Sequence, residues 1–362
     1  MLEQHLRMPR RWRSRAPAIP SADTIGYSLR RFELERLRDS LAKIAHLAKR
    51  KKALRKLSAE SSARNGQWVA ALDGHELWSS QRRCCEGCCI RTIKTTEGPV
   101  KEYYHRVVIL QLVDVWPALI LDLEPVLPGE DEVAASLRIV RRVRLRYPKF
   151  FKVLTLDALY LQRPFIKQVL DHGLEVIIVL KKEKTALYRE ALGTMGSTAA
   201  KEEKGDSRKS WVWDLTELKS WRQIKPLRVV RSADEITKRE RIAGKWSEKI
   251  IQSDWIWATT LSKTAASTAT IIRWGHARWD IENRGFNELH THWAMDHCFH
   301  HHPTAIQAFL MILALAFALT AFFFDRNLKP AYQKGKSRAF LAQLFCSQLA
   351  QEHLEPFLSR AP

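Results

Sequence analysis

Three stretches decide the fold: QWVAALD (67–73), YYHRVVILQLVD (103–114) and ALILDLEPV (118–126). Each is a run of β-branched, aromatic or aliphatic residues bounded by polar residues or proline, a pattern typical of β-strands. Three such runs within about sixty residues predict a β-meander. A sheet is therefore expected to begin near residue 67.

Helices and strands alternate after this meander. Residues 131–147 carry one apolar helical stripe, and residues 151–157 form a short apolar run that ends at Asp157. Residues 164–173 predict a helix stopped by a glycine, and residues 174–180 predict another strand. The order βββ followed by αβαβ indicates a mixed sheet with helices packed on it.

The composition indicates a folded protein that binds a polyanion. The 362 residues are 46% hydrophobic and 27% charged, which excludes collagen-like, low-complexity and wholly disordered classes and allows one large domain or two to three modules. Lys and Arg number 60 against 39 Asp and Glu, a net charge of +21. Nucleic acid is therefore the first partner to consider.

Half of the excess positive charge lies in residues 1–66, with 17 Lys and Arg against 6 Asp and Glu. Apolar side chains recur there at three- and four-residue steps, which predicts an amphipathic helix or a helix pair. The basic face includes Lys51 and Lys52, candidate contacts to DNA phosphates, although a merely solvated face is the alternative. Deleting residues 1–66 is expected to weaken DNA binding and flatten its salt dependence while leaving the metal site folded.

The remaining chain is predicted to have four parts: a first core part at 67–180, a β-rich insertion at 181–262, core helices at 263–330 and a polar tail at 331–362. In the insertion, WVW and WIW place both tryptophans of each pair on one strand face. We expect Trp211, Trp213, Trp255 and Trp257 to pack in a core, and stacking on a flipped DNA base is the alternative.

Two helical segments carry distinct expectations. One long helix is expected around Glu282, weakened by Gly275 and Gly285. Residues 305–324 contain no charge and are long enough to cross a bilayer. Because a helix that is apolar all round is also typical of the centre of a large domain, we expect a core helix and no membrane partner.

Three acidic residues come from three different predicted elements. Asp73 and Asp157 each end an apolar strand, and Glu282 lies in a helix. If the two strands are neighbours and the helix crosses their ends, the acids converge on an oxygen-rich site that suits Mg²⁺ or Mn²⁺. Taken singly, Asp73 before Gly74 can open a turn, Asp157 can cap a helix, and Glu282 can be a solvated charge.

These acids lie in ALDGHEL, TLDALY and RWDIENRGFNELHTHW, stretches that resemble the signature regions of DDE transposases from bacterial insertion sequences. The resemblance spans roughly residues 20 to 325, and the 125 positions between Asp157 and Glu282 leave room for the β-rich insertion typical of one group. It implies an α/β fold with an RNase H-like mixed sheet flanked by helices, plus that insertion and a basic helical N-terminal segment.

The resemblance also implies an activity. Asp73, Asp157 and Glu282 would hold two Mg²⁺ or Mn²⁺ ions, water would cut the ends of the element, and the freed 3′-hydroxyl would attack target DNA. The implied partners are terminal-repeat and target DNA, bound by a homodimer or higher assembly in the bacterial cytoplasm, at the nucleoid. The alternatives are a nuclease or resolvase of the same fold, which cuts without joining, and a non-catalytic DNA-binding relic.

Residue matches to the family are partial. The pattern Y-x2-R-x3-E-x6-K is met at Arg278 and Glu282, whereas Gly275 and Leu289 hold the tyrosine and lysine positions. The neighbouring Trp274 and His290 are therefore candidates for stacking and for phosphate contact. The aromatic residue expected after the second Asp is Tyr160, and Lys181 completes the candidate DNA-binding set.

Four of the six cysteines lie in CCEGCC at 84–89, which is unlike a secreted disulfide framework. Together with an N-terminus that lacks a signal-peptide pattern, this predicts a reducing cytoplasm. The C-x2-C spacings suggest zinc, and a second ligand pair would have to come from a distant segment, such as the histidines of residues 290–302. A reduced, partly buried hairpin is the favoured interpretation.

Overall fold

A computed structural model describes residues 21–57, 68–181, 185–216, 218–221, 224–242, 245–344 and 347. The predicted boundary at residues 66 and 67 and most of the predicted tail lie outside this part of the chain. Its α-helices include α1 (Ala22–Leu29), α2 (Leu34–Arg50), α3 (Glu132–Arg146), α4 (Arg163–Asp171), α5 (Ala186–Gly196), α6 (Thr268–Ala277), α7 (Trp279–Ile281), α8 (Asn287–Trp293), α9 (Pro303–Arg326) and α10 (Pro330–Gln333). The strands are β1 (Arg55–Lys56), β2 (Val69–Ser80), β3 (Cys89–Thr95), β4 (Gly98–Val113), β5 (Val115–Trp116), β6 (Leu119–Pro125), β7 (Val153–Leu156), β8 (Glu175–Val179), β9 (Lys201–Lys204), β10 (Arg208–Leu215), β11 (Arg228–Ile242) and β12 (Lys245–Thr259).

Five strands form the centre of one large mixed sheet in the order β6-β4-β2-β7-β8. Strand β4 runs antiparallel to both β2 and β6, whereas β7 is parallel to β2 and β8 is parallel to β7. The antiparallel strands β2, β4 and β6 therefore lie on one side, and the parallel strands β7 and β8 follow on the other side of β2. This arrangement is RNase H-like. The predicted α/β fold with its βββ-αβαβ order is therefore confirmed.

The sheet is covered on both faces, which explains why its strands read as continuous apolar runs rather than as alternating ones. On one face Leu72 and Leu110 belong to a core that includes residues of α3. On the other face Ala71 and Ile109 belong to a second core with residues of α6 and α9. Successive strand residues alternate between these two cores, as the two-residue period of a strand requires.

The β-rich insertion continues this sheet at its β8 edge. Strand β12 pairs antiparallel with β8, and β11, β10 and β9 follow in order. Trp257 is fully buried and stacks on Trp255 at 6.1 Å between ring centroids, which confirms core packing for Trp257. Trp211 and Trp213 are half-buried, and each indole N–H donates to an acceptor in the segment 198–202.

Helices α1 and α2 confirm the predicted helix pair, and α2 belongs to the core of the fold. It packs on α9 and β6, with Leu41 only 1% exposed. Buried Arg38 donates to Asp122 at 3.3 Å and to Glu124 at 3.2 Å, both on β6. The expectation that the metal site stays folded without residues 1–66 is therefore corrected, because the deletion would uncover apolar surface on α9 and β6 and remove Arg38 from a buried cluster of charges.

Helix α9 is long and apolar enough to cross a membrane by length and composition alone. In the structure it packs on α1, α2 and β6, and ten of its residues, including Met311 and Phe317, are buried. One side of the helix is therefore packed as expected for a core helix, whereas Ile312, Leu319 and Phe323 are exposed.

The helix expected around Glu282 runs through α6, α7, a π-helical turn (Glu282–Phe286) and α8, with one turn residue, Arg278, between α6 and α7. The glycines are sites of close approach to the sheet. A Cβ at Gly275 would lie 2.4 Å from the Trp257 indole, and one at Gly285 would lie 2.2 Å from the Gln111 side chain. The predicted long helix is therefore confirmed, with a π-helical distortion at Glu282, and its close packing on the sheet at the two glycines positions Glu282.

Candidate active site

Asp73 and Asp157 are brought together by the pairing of β2 with β7. The two strands are parallel, with Ala71 opposite Thr155. Continuing this register by two residues places Asp73 beside Asp157, which follows the last residue of β7. Two carboxylates that are far apart in the chain therefore lie side by side where β7 ends. The prediction that Asp73 ends a strand is wrong, because β2 continues to Ser80.

Glu282 joins them from the helical side. It is the first residue of the π-helical turn, a distortion often found at functional sites. A cleft of about 630 Å³ is lined by all three acids, and the predicted Lys181, Arg278 and His290 line the same cleft. Six of the residues singled out in the sequence thus share one surface.

Arg278 bridges two of the acids. Its Nη1 lies 2.8 Å from Asp73 Oδ2 and 2.9 Å from Glu282 Oε1, and the residue is 4% exposed. The sequence-based role of Arg278 as a direct DNA contact is corrected by this burial. Its guanidinium instead neutralises and orients two carboxylates of the cleft.

The pKa of Asp73 is raised to about 6. Burial is the largest cause, and the nearby carboxylates of Glu132 and Glu282 raise the pKa further. The guanidinium of Arg278 and the backbone N–H of Gly74, which donates to Asp73 Oδ1 at 2.9 Å, act in the opposite direction. In its ionised form, a buried carboxylate in this environment is stabilised more by a nearby cation than an exposed carboxylate is.

A buried polar group surrounds Glu132, the acid whose charge raises the pKa of Asp73. Glu132 accepts from Arg106 at 2.6 Å and from the Tyr160 hydroxyl at 2.7 Å. Gly74 makes room for this group, since a Cβ there would lie 2.1 Å from the Glu132 carboxylate. Tyr160 is fully buried, so its predicted DNA contact is corrected to a structural role.

At one rim of the cleft, two histidines contact the same carboxylate. Asp296 Oδ1 lies 3.0 Å from His75 Nε2, and Asp296 Oδ2 lies 3.1 Å from His290 Nε2. The sequence analysis missed His75 and Asp296. The i, i+2 spacing of Asp73 and His75 on one strand was the signal that places both on the same face.

The other predicted contacts lie in different surroundings. Lys181 is exposed, with Nζ 5.5 Å from the ring centre of Trp255. Trp274 is 2% exposed in the core beneath α6, so its predicted stacking on DNA is corrected. Lys51 and Lys52 are exposed at the end of α2, and their contact with DNA remains a prediction.

The acids of the cleft fit a hard divalent cation. Carboxylate oxygens are what Mg²⁺ and Mn²⁺ prefer, and these ions commonly take one or two carboxylates together with phosphate oxygens and water. The raised pKa of Asp73 and the bridging position of Arg278 show that Asp73 and Glu282 lie close enough to require positive charge, and Asp157 lines the same cleft.

Comparison with known proteins identifies one family. The profile described as "Transposase DDE domain" matches residues 119–319, more than half of the chain. The matched region contains Asp157 and Glu282 with the elements that carry them, whereas Asp73 precedes it. No curated protein sequence matches the chain.

Proposed function

The chain belongs to the transposase DDE domain family, and from this premise we propose that it cleaves and joins DNA through Asp73, Asp157 and Glu282. The observation that carries the proposal is that three carboxylates from three separate elements line one cleft. Two of these elements lie inside the region that matches the family, and the third is the neighbouring strand of the same sheet.

Members of this family generally use divalent metal ions. Here Asp73, Asp157 and Glu282 would hold Mg²⁺ or Mn²⁺, two ions by our proposal. When bound, such ions activate an attacking hydroxyl and stabilise the leaving oxygen of a phosphodiester.

The chain's own residues have separate tasks in this proposal. Arg278 fixes the orientation of the Asp73 and Glu282 carboxylates before DNA arrives. Lys181, an exposed residue of the cleft, contacts the phosphate backbone, and His290, held by Asp296, does the same. Lys51 and Lys52 add phosphate contacts farther along the DNA.

We further propose that the substrate is the pair of terminal repeats of an insertion sequence, joined to target DNA by a homodimer or higher assembly at the nucleoid, in the bacterial cytoplasm. The decisive experiment incubates the full chain with its flanking terminal repeats and Mg²⁺ or Mn²⁺ and scores cleavage and joining separately. Cleavage with joining supports the proposal. Cleavage without joining indicates a nuclease or resolvase, and binding alone indicates a non-catalytic relic.

A further inference from the structure

Two cysteines and two histidines from three distant segments converge outside the cleft. This Cys–His cluster consists of Cys85 and Cys88 in the turn between β2 and β3, His105 on β4 and His301 just before α9. The four potential ligand atoms all lie within 4.8 Å of one another. Cys88 and His105 are buried, and Cys85 and His301 are half-buried.

The separations within the cluster are those of a tetrahedral metal site. Cys85 Sγ lies 3.7 Å from Cys88 Sγ, and His105 Nε2 lies 3.4 Å from Cys85 Sγ and 3.2 Å from Cys88 Sγ. His301 Nε2 lies 3.4 Å from Cys88 Sγ. Bonds of about 2.3 Å to sulfur and about 2.0 Å to nitrogen around a tetrahedral Zn²⁺ separate two sulfurs by about 3.8 Å and sulfur from nitrogen by about 3.5 Å.

The other two cysteines of CCEGCC have different surroundings. Cys84 is exposed, and Cys89 Sγ points to the backbone carbonyl of Val126 at 3.6 Å. The crowding of four thiols in six residues is thus resolved, because one C-x2-C pair turns toward the two histidines and the flanking thiols do not. The Cys85 backbone N–H also donates to Cys88 Sγ at 3.2 Å, a contact that stabilises a thiolate ligand.

We propose that Cys85, Cys88, His105 and His301 bind one structural Zn²⁺. Four protein ligands of the Cys₂His₂ type close the coordination sphere, which is the mark of a structural rather than a catalytic zinc site. On binding, the two thiols release their protons, the ion exchanges its waters for two Zn–S and two Zn–N bonds, and no oxidation state changes.

The site would tie together parts of the chain that are far apart in sequence. Cys88 and His301 are separated by 213 positions, and His301 immediately precedes the core helix α9. Asp296, which holds the two histidines at the rim of the cleft, lies in the same connection between α8 and α9. A zinc ion would therefore fix this connection against the β2–β3 turn. The proposal does not depend on DNA cleavage.

The test measures zinc in the full chain, purified without a histidine tag under reducing conditions. About one zinc per chain is expected, and cobalt substitution is expected to give the intense visible bands and thiolate charge transfer of a tetrahedral S₂N₂ site. Cys88→Ser and His301→Ala should lose the metal, whereas the matched Cys84→Ser and His292→Ala should keep it. A Glu282→Gln variant should also keep it, which separates this site from the acidic cleft.

A second measurement avoids variants that fail to fold. In the unmodified protein, Cys85 and Cys88 should resist alkylation until a chelator is added, while Cys84 reacts at once, as read by peptide mass spectrometry. Absence of zinc and of cobalt–thiolate absorption in fully reduced protein would overturn the proposal. So would zinc retained by Cys88→Ser, or alkylation of Cys85 and Cys88 that a chelator does not change.

Discussion

Arg278 Nη1 lies 2.8 Å from Asp73 Oδ2, although 205 positions separate the two residues in the chain. The same nitrogen is 2.9 Å from Glu282 Oε1, so one guanidinium spans the acids of two elements. In the metal-free protein it supplies the positive charge that the clustered carboxylates require. A metal ion that binds these acids must therefore either displace the Arg278 guanidinium or share the two carboxylates with it.

Arg278→Gln should lower the stability of the metal-free protein. Loss of the guanidinium leaves Asp73 and Glu282 without a compensating charge, at a cost of about 1–3 kcal/mol for a buried charged hydrogen bond. Added Mn²⁺ should also raise the melting temperature of the variant more than that of the parent, because the ion replaces the lost charge. Thermal unfolding with and without Mn²⁺ measures both effects.

Arg284→Gln is the matched control. It alters a looser pair with Asp280 at 3.5 Å and should change neither the stability nor the Mn²⁺ shift. Equal Mn²⁺ shifts in the parent and Arg278→Gln would contradict this interpretation.

Asp73→Asn, Asp157→Asn and Glu282→Gln should each abolish DNA cleavage. Removing one carboxylate from such a cluster misplaces both the nucleophile and the group that stabilises the leaving oxygen. DNA affinity should persist or rise slightly, because Lys and Arg contacts with phosphate govern it. Gel-shift and cleavage assays on the same preparations separate the two properties.

The control for this series is Asp280→Asn, which changes an acid two positions from Glu282. Asp280 accepts from the backbone N–H of Asp114 at 3.0 Å, so it faces the sheet rather than the cleft. The Asn side chain retains an acceptor for this hydrogen bond, and cleavage should continue. Cleavage lost in Asp280→Asn and kept in Glu282→Gln would move the site to the other acid.

The raised pKa of Asp73 predicts a pH dependence of stability. With a folded-state pKa of about 6 against an ordinary 3.8, the folded protein holds more protons than the unfolded chain between these values. The free energy of unfolding of the metal-free protein should therefore fall as pH rises from 4 to 6, by on the order of 2–3 kcal/mol from this group. Mg²⁺ affinity should rise over the same interval and level off above it, since the ion displaces the proton. Denaturant titrations of the parent and Asp73→Asn isolate the effect, and parallel pH profiles would exclude it.

Tyr160→Phe and Lys181→Gln should affect different properties. Tyr160 donates to Glu132 at 2.7 Å from a fully buried position, so removing its hydroxyl should cost about 1–3 kcal/mol of stability without altering DNA affinity. Lys181 is exposed at the cleft, so its neutralisation should weaken DNA binding without altering stability. Chemical denaturation and DNA titration measure the two variants in parallel. If Tyr160→Phe weakens DNA binding in a fully folded preparation, the tyrosine must be returned to the DNA-binding set.

Replacing Lys51 by Gln and Lys52 by Asn should flatten the salt dependence of DNA binding. Each lost phosphate contact should reduce the slope of log affinity against log salt by about 0.9. Asn suits position 52 because the residue has φ of 52°, a conformation that Asn tolerates. The melting temperature should stay unchanged, since both side chains are exposed. An unchanged slope would show that this end of α2 is a solvated basic face.

The central sheet was predictable because its strands are buried on both faces and therefore appear as apolar runs. The acids were predictable for a related reason: Asp73 and Asp157 each follow such a run, and parallel strands bring equivalent positions together. What the sequence could not supply was the direction of individual aromatic side chains. Trp274 and Tyr160 face inward because of helix packing and a buried Glu132, and neither cause leaves a local pattern.

The Cys–His cluster shows a second limit. CCEGCC predicted two ligands and left their partners open, and His301 lies among the histidines named from the sequence. His105 was missed because a single histidine in an apolar strand carries no spacing signal. It becomes recognisable as a potential ligand only through the fold that places β4 beside the β2–β3 turn.

The antiparallel pairing of β12 with β8 has a mechanical consequence. Strands β11 and β12 contain 15 residues each, and at about 3.3 Å per residue the hairpin is about 50 Å long. Its root is bonded into the central sheet at Trp257–Thr259, without a linker between them. Backbone hydrogen bonds therefore couple the hairpin directly to β8, the strand that ends two residues before Lys181 at the edge of the cleft, so a bending force on the hairpin loads this edge.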